Sequence, residues 1–178
     1  TRYLSSAASD VYKRQENTGE KLKEQGFNFD VMFTSELKRA QNTGEIILEK
    51  LNQPNLTTIK SVNLNERDYG DLTGMNKDEA RAEFGEEQVH IWRRSYDVPP
   101  PGGESLKDTY DRVIPYFESD IMPEINDSKN VLIAAHGNSL RSLVKFIEDL
   151  NETDILKLEI ATGEPIIYKF IDGRFTRA

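Results

Sequence analysis

The residues best suited to chemistry follow a short apolar run near the end of the chain. His136, Gly137, Asn138 and Ser139 come directly after residues 131–135 and precede a stretch with helical periodicity. This pattern predicts a buried strand, a tight turn and the start of a helix. A helix N-terminus beyond a strand's carboxyl end offers N–H donors and positive partial charge, so we expect an anionic ligand, with phosphate the first candidate.

Three arginines are candidate ligands for such an anion. Arg39 lies in the first turns of a predicted helix, where a cation opposes the helix dipole and therefore suggests a compensating anion. Arg93 and Arg94 lie at a predicted helix end, and guanidinium groups bind phosphate and carboxylate through paired hydrogen bonds. The alternatives are an exposed Lys-Arg pair at Arg39 and simple compensation of the dipole at Arg93 and Arg94.

The loop of residues 64–74 places an acid, a base and a phenol between apolar residues and glycines. Glu66 is the candidate acid/base, since a carboxylate near a bound phosphate can move protons for a substrate hydroxyl. An ordinary polar surface turn is the alternative.

For His136 the alternative is a hydrogen-bonded core residue, and we interpret His90 as a surface or packing residue. No histidines and acids share metal-ligand spacing, so we predict no metal.

The elements that must position these residues alternate between strands and helices. This order predicts an α/β fold, a three-layer sandwich with a mostly parallel sheet flanked by helices on both faces. Ser35 and Asn76 are predicted N-caps. The predicted helices cover residues 16–26, 36–51, 76–84, 86–96 and 105–120, with one more after His136, and the predicted strands cover residues 27–34, 57–62, 131–135 and 165–171.

Composition limits the class of protein. The 178 residues favour one domain, and a net charge of −8 argues against nucleic acid as a partner. The chain contains no cysteine, which excludes disulfides and thiolate chemistry. No run is apolar enough for a membrane span and no secretory signal is present, so the simplest interpretation is a cytoplasmic protein without a membrane partner.

Residues 1–15 look unlike the rest of the chain. They begin with Thr1 and show no helical or alternating period that continues into residue 16. Residues 5–15 resemble a translated sequencing adapter, so we interpret residues 1–15 as a non-native tail and residues 16–178 as the domain. A natural N-terminal tail is the alternative.

Six blocks of sequence contain the motifs Leu-Asn-Glu-Arg, Trp-Arg-Arg-Ser, Pro-Pro-Pro and His-Gly-Asn-Ser. The blocks are residues 29–40, 64–70, 76–77, 91–101, 104–109 and 134–141. Taken together and in this order, they resemble the 2,3-bisphosphoglycerate-dependent phosphoglycerate mutases of the histidine phosphatase superfamily. The resemblance covers nearly all of residues 16–170.

The resemblance implies the interconversion of 3-phosphoglycerate and 2-phosphoglycerate in glycolysis and gluconeogenesis through a phosphohistidine, with 2,3-bisphosphoglycerate as the priming cofactor. It implies that Glu66 is the acid/base and that His136 stabilises the transferred phosphoryl group. It also implies a homo-oligomer in the intact parent protein. The implied binding residues are Arg39, Tyr69, Lys77, Arg93, Arg94, Gly137 and Asn138.

One departure from the family pattern bears on activity. The family's nucleophile is the histidine of an Arg-His-Gly motif after its first strand, and these 178 residues contain no such motif. We therefore expect an α/β fold whose first strand is missing, unpaired strand edges, a marginal or aggregating product and no turnover. Two alternatives remain open: a histidine-phosphatase-type phosphomonoesterase, and a non-catalytic fragment that binds phosphorylated acids.

Overall fold

The computed structural model describes the backbone of residues 2–178 and the side chains of residues 11–93 and 95–178. The helices in this part of the chain are α1 (Arg2–Glu24), α2 (Lys38–Lys50), α3 (Lys77–Phe84), α4 (Glu86–Arg94), α5 (Leu106–Tyr116), α6 (Met122–Asn126), α7 (Gly137–Ile147) and α8 (Glu152–Lys157). The strands are β1 (Val31–Ser35), β2 (Thr58–Ser61), β3 (Val131–Ala134), β4 (Tyr168–Ile171) and β5 (Arg174–Arg177). None of the helices described is long and apolar enough to cross a membrane.

Strand β1 lies at the centre of a parallel three-stranded sheet with the order β2-β1-β3. Phe33 of β1 is in register with Ile59 of β2 and with Ile133 of β3. The predicted α/β class and parallel sheet are confirmed. The strand predicted at residues 165–171 is shorter and pairs only with β5, in a separate antiparallel hairpin.

Helices cover both faces of the parallel sheet. Successive side chains of a strand point to opposite faces, so neighbouring residues of β1 show what packs on each face. Phe33 belongs to a cluster with Val113 of α5 and Leu143 of α7. Met32 faces the other way and packs with Leu48 of α2. The sheet is therefore the middle layer of the predicted three-layer arrangement.

Gly44 allows α2 to lie close against the sheet. A Cβ atom at Gly44 would overlap Sδ of Met32 and come 3.2 Å from Cβ of Ala134. Because of the overlap with Met32, any larger residue here forces Met32 or the helix to move.

Residues 2–15 are helical although their sequence pattern shows no period that continues into residue 16, and they run without a break into the helix predicted at residues 16–26. This combined helix, α1, packs on α2 through an ion pair between Glu16 Oε1 and Lys50 Nζ (2.7 Å) and through buried Leu22. The non-native origin of residues 1–15 stays a prediction, since a helical backbone does not test it. Within residues 2–178, the first strand is β1, and β3 pairs with β1 alone.

Of the two predicted helix caps, the structure confirms Asn76 and corrects Ser35. Ser35 is not a helix cap: it is the last residue of β1, and α2 begins three residues later at Lys38. Asn76 caps α3 as predicted, accepting bonds from the N–H groups of Asp78 and Glu79. Helix α5 contains Pro115, which cannot donate a helical hydrogen bond, and it continues as a π-helical turn over Phe117–Ile121.

Candidate active site

His136 occupies the position predicted for it, between β3 and α7. Its backbone is extended (φ −118°, ψ 165°), it immediately precedes the first residue of α7, and its side chain is buried. The N–H of His136 donates to Oγ of Ser139 at 3.0 Å, which fixes the turn. The ring therefore lies at the carboxyl edge of the sheet, where the sequence placed an anion site.

Both ring nitrogens of His136 have partners, and these define its tautomer. Nη2 of Arg39 lies 3.2 Å from Nδ1, and Oγ of Ser35 lies 2.8 Å from Nε2. A guanidinium can only donate, so Nδ1 accepts and the proton resides on Nε2, which donates to Ser35. Burial lowers the pKa of His136; the carboxylate of Glu66 opposes this effect and Arg39 reinforces it. The net effect favours the neutral form of the ring.

Ser35 is a site residue that the sequence analysis missed. It is fully buried, and its Oγ also accepts a bond from the N–H of Leu37. One signal could have found it: β1 and β3 were both predicted strands, and the carboxyl ends of neighbouring parallel strands meet at one edge.

Glu66 lies beside the start of α7. Its Oε1 accepts bonds from the N–H of Arg67 (2.8 Å) and from the N–H of Asn138 (3.2 Å). Its Oε2 would lie 3.9 Å from a Cβ at Gly137. The amide of Asn138 donates in turn to the hydroxyl of Tyr69 at 3.0 Å. The structure thus brings together Glu66, Tyr69, Gly137 and Asn138.

Arg112 of α5 holds the backbone that carries Glu66, and sequence analysis gave no sign of it. Its guanidinium donates to the carbonyls of Asn63 (2.8 Å), Asn65 (3.0 Å) and Glu66 (3.1 Å), and it pairs with Glu104 through bonds of 2.7 and 2.9 Å. Burial alone would raise the pKa of Glu104, but hydrogen bonds from Arg112 and from the N–H of Asp68 hold it below the usual value.

Arg67 links this loop to α4. It is buried, its Nη2 donates to the carbonyl of Trp92 at 3.1 Å, and its guanidinium carbon lies 4.9 Å from the centre of the Tyr69 ring. Its Nε is buried without a partner among the described atoms. Desolvation lowers the pKa of Arg67, an effect that the oxygen atoms of Tyr69, Glu66 and Glu104 oppose.

A cavity of about 340 Å³ opens beside Tyr69 and Asn138. Lys77 of α3 and Arg93 of α4 line it, so the structure brings these two predicted ligands to one place. Asn138 belongs both to this cavity and to the Glu66 group, which makes the two parts continuous. The side chain of Arg94 lies outside the described residues. The other charged or titratable residues of the lining are Arg67, Arg81, Glu86, His90 and Arg141.

The site thus has an inner part, where Arg39, His136 and Glu66 meet, and an outer part that is strongly basic. Among the described residues, no group of three or more His, Asp or Glu side chains could hold a metal ion. This arrangement can bind a small molecule that carries two anionic groups, with the carboxylate of Glu66 held beside the start of α7.

Comparison with known proteins agrees with this description. The family model of the histidine phosphatase superfamily (branch 1) matches residues 12–177. The α-ribazole phosphatase of Shigella flexneri has the same fold, with a TM-score of 0.78 and 20% identity over 94% of this chain and 79% of that one. Bacillus stearothermophilus YhfR gives 0.77 and 22%, covering 94% and 81%.

Sequence similarity is much higher to a narrower group. A 2,3-bisphosphoglycerate-dependent phosphoglycerate mutase of Bradyrhizobium sp. (strain ORS 278) is 61% identical over 153 residues, which are 86% of this chain and 74% of the relative. A phosphoglycerate mutase of Schizosaccharomyces pombe (strain 972 / ATCC 24843) is 59% identical over 158 residues, 88% of this chain and 75% of the relative. The chain belongs to the 2,3-bisphosphoglycerate-dependent phosphoglycerate mutase family within the histidine phosphatase superfamily.

Proposed function

We propose that this site serves the interconversion of 3-phosphoglycerate and 2-phosphoglycerate. One observation carries the proposal: in a chain of net charge −8, basic side chains converge on one cavity that is continuous with His136 and Glu66. Such a concentration of positive charge suits a substrate with a carboxylate and a phosphate. The relatives' name supports the same reaction.

Each predicted residue has a place in this scheme. Arg39 and His136 would face the transferred phosphoryl group, where charge on the equatorial oxygens must be neutralised. Glu66 would move the proton of the substrate hydroxyl. The substrate would be bound by Tyr69, Lys77, Arg93, Arg94, Asn138 and the N–H of Gly137. The priming cofactor 2,3-bisphosphoglycerate, which supplies the phosphoryl group for the family's phosphohistidine, fits the same basic lining.

The 178-residue chain as it stands is proposed to bind these ligands without turning them over. Neither of its two histidines is suited to the nucleophile's role. Both ring nitrogens of His136 are engaged by Arg39 and Ser35. His90 lines the outer cavity on α4, a helix that does not follow a strand of the parallel sheet. A non-catalytic phosphoacid-binding fragment is therefore the second candidate function, and this engagement of His136 favours it.

Two forms of the protein test these proposals. In the first, the given chain is assayed for mutase activity with added 2,3-bisphosphoglycerate and for binding of 3-phosphoglycerate by calorimetry. In the second, residues 1–15 are replaced by a family-like strand, Arg-His-Gly and loop. We expect binding in both forms and turnover only in the second. Turnover by the given chain would overturn the account of the nucleophile, and absence of binding in both forms would overturn the proposed site.

Cellular context and assembly follow from the family rather than from this chain. A glycolytic reaction implies a cytoplasmic location, and the family resemblance implies a homo-oligomer in the intact parent protein. Size-exclusion chromatography with light scattering on the second form would give the oligomeric state.

A further inference from the structure

The outer wall of the cavity is built from two short helices, α3 and α4, joined at Gly85. Lys77 and Arg81 are four residues apart on α3, and Glu86, His90 and Arg93 lie at intervals of four and three on α4. Residues three or four apart share one helix face, and all five side chains line the cavity. The wall therefore carries two groups, Arg81 and His90, that the proposed substrate contacts do not use.

The charge on this wall is only weakly compensated. Nη1 of Arg81 lies 3.6 Å from Oδ1 of Asp78, but the Asp78 side chain is 93% exposed, and such ion pairs contribute little. Glu86 is the sole acid among the residues that line the cavity. Lys77 and Arg93 are the wall residues assigned to the substrate, and Arg81 and His90 offer further N–H donors beside them, so the wall has room for a second anionic group.

We propose that Arg81 and His90 form an outer anion subsite that takes a doubly charged group, so that the cavity prefers bisphosphorylated acids to monophosphorylated ones. This inference rests on the proposed function of the same site and adds the residues that discriminate between its ligands. A phosphate carries more charge than a carboxylate and has three acceptor oxygens, which suits a wall with several separate donors.

Calorimetry with two ligands tests the preference. The given chain, Arg81→Gln and His90→Gln are titrated with 2,3-bisphosphoglycerate and with 3-phosphoglycerate. Arg81→Gln is expected to weaken 2,3-bisphosphoglycerate binding about three- to tenfold and 3-phosphoglycerate binding less than about twofold, since the missing contact involves only the second phosphate. Arg174→Gln, which removes an exposed arginine from the β4–β5 hairpin, is the matched control and should change neither. Equal losses for both ligands, or none, would overturn the subsite.

The ring signals of His90 in NMR spectra report on the subsite directly, whereas a general loss of positive charge would not change them. The groups facing the cavity with His90 are Glu86 on its own helix, Lys77 and Arg81 on α3, Arg93 on α4, and Arg67 and Arg141 from the remaining wall. At a fixed pH, bound sulfate should move the NMR signals of the His90 ring, because an anion beside the ring changes its electrostatic surroundings.

The two histidines can be told apart, since His90→Gln leaves one set of ring signals. If 3-phosphoglycerate binds but 2,3-bisphosphoglycerate shows no Arg81-dependent preference, the subsite is wrong and the proposed function stands. If neither phosphoglycerate binds, the proposed function fails for this chain, and sulfate decides the subsite separately. The subsite is supported if sulfate shifts the NMR signals of the His90 ring and this shift disappears in Arg81→Gln. It is refuted if sulfate leaves the His90 signals unchanged.

Discussion

Arg112 is the residue whose removal should most disturb the Glu66 loop. Replacing Arg112 with Met keeps the aliphatic stem but removes the donors to Asn63, Asn65 and Glu66, and it leaves the carboxylate of Glu104 without its ion pair. A hydrogen bond to a charged group contributes about 1.5–3 kcal/mol, and an orphaned buried acceptor adds a desolvation penalty. The side chains of Arg112 and Glu104 are 22% and 24% exposed, so water recovers part of this loss. We expect the free energy of unfolding to fall by about 2–4 kcal/mol.

Equilibrium unfolding in urea measures this loss, with circular dichroism as one probe and fluorescence as the other. The chain has a single tryptophan, Trp92, which is buried next to Arg67 and reports on the site itself. Arg177→Gln is the matched control, because Arg177 and Glu148 form an ion pair of 3.2 Å in which the arginine is 52% exposed. Its loss should be under about 1 kcal/mol.

The double variant Arg112→Met/Glu104→Gln separates the ion pair from the loop contacts. Removing the carboxylate's charge relieves the penalty that Arg112→Met leaves behind, so the double loss should be smaller than the sum of the single losses by about 1–2 kcal/mol. The reasoning is refuted if Arg112→Met loses no more stability than Arg177→Gln, or if the two single losses simply add. A weaker affinity for 3-phosphoglycerate should accompany the loss in stability, since the loop carries Glu66 and Tyr69.

Three further predictions concern protonation and folding. Nitrogen NMR at pH 7 should show His136 as the neutral tautomer protonated at Nε2, and Ser35→Ala should increase exchange between tautomers; a dominant Nδ1–H form would contradict the assigned bonds. The pKa of Glu104 is lower in the folded state than in the unfolded state. Ionised Glu104 therefore stabilises the fold at pH values above the unfolded-state pKa, and this stabilisation disappears as the pH falls through the folded-state pKa. The urea midpoint of Glu104→Gln should accordingly depend less on pH between about 5 and 3 than that of the unmodified chain, and parallel curves would exclude this role. Heating should give irreversible aggregation, measured by light scattering, because β3 pairs on one side only; cooperative, reversible melting would count against it.

Local patterns in the sequence predicted the parts of the site that depend on neighbours along the chain. The strand, turn and helix around His136 were predictable because apolar residues, a glycine and a helical period follow one another directly. Asn76 was predictable as a cap because its partners, Asp78 and Glu79, are two and three residues away.

Contacts between segments that are distant in sequence could not be predicted from these local patterns. Ser35 has the composition of a good helix cap, and only the pairing of β1 with β3 brings it to His136, 101 residues away in sequence. Arg112 holds carbonyls 46 to 49 residues before it. His90 is exposed, as predicted for a surface residue, but its place on the cavity wall could be seen only once α3 and α4 were positioned.

The absence of a side chain at Gly44 affects the part of the site proposed to bind the phosphoryl group. Gly44 follows Arg39 on the same helix, so the depth at which α2 rests on Met32 and Ala134 also sets how far the Arg39 guanidinium reaches over His136. An added methyl group would be absorbed either by Met32 or by outward movement of the helix, and the second route would lengthen the 3.2 Å contact at the ring. The distance between Arg39 and His136 in the proposed inner anion site therefore depends on core atoms of Met32 and Ala134, on the other side of α2 from the solvent.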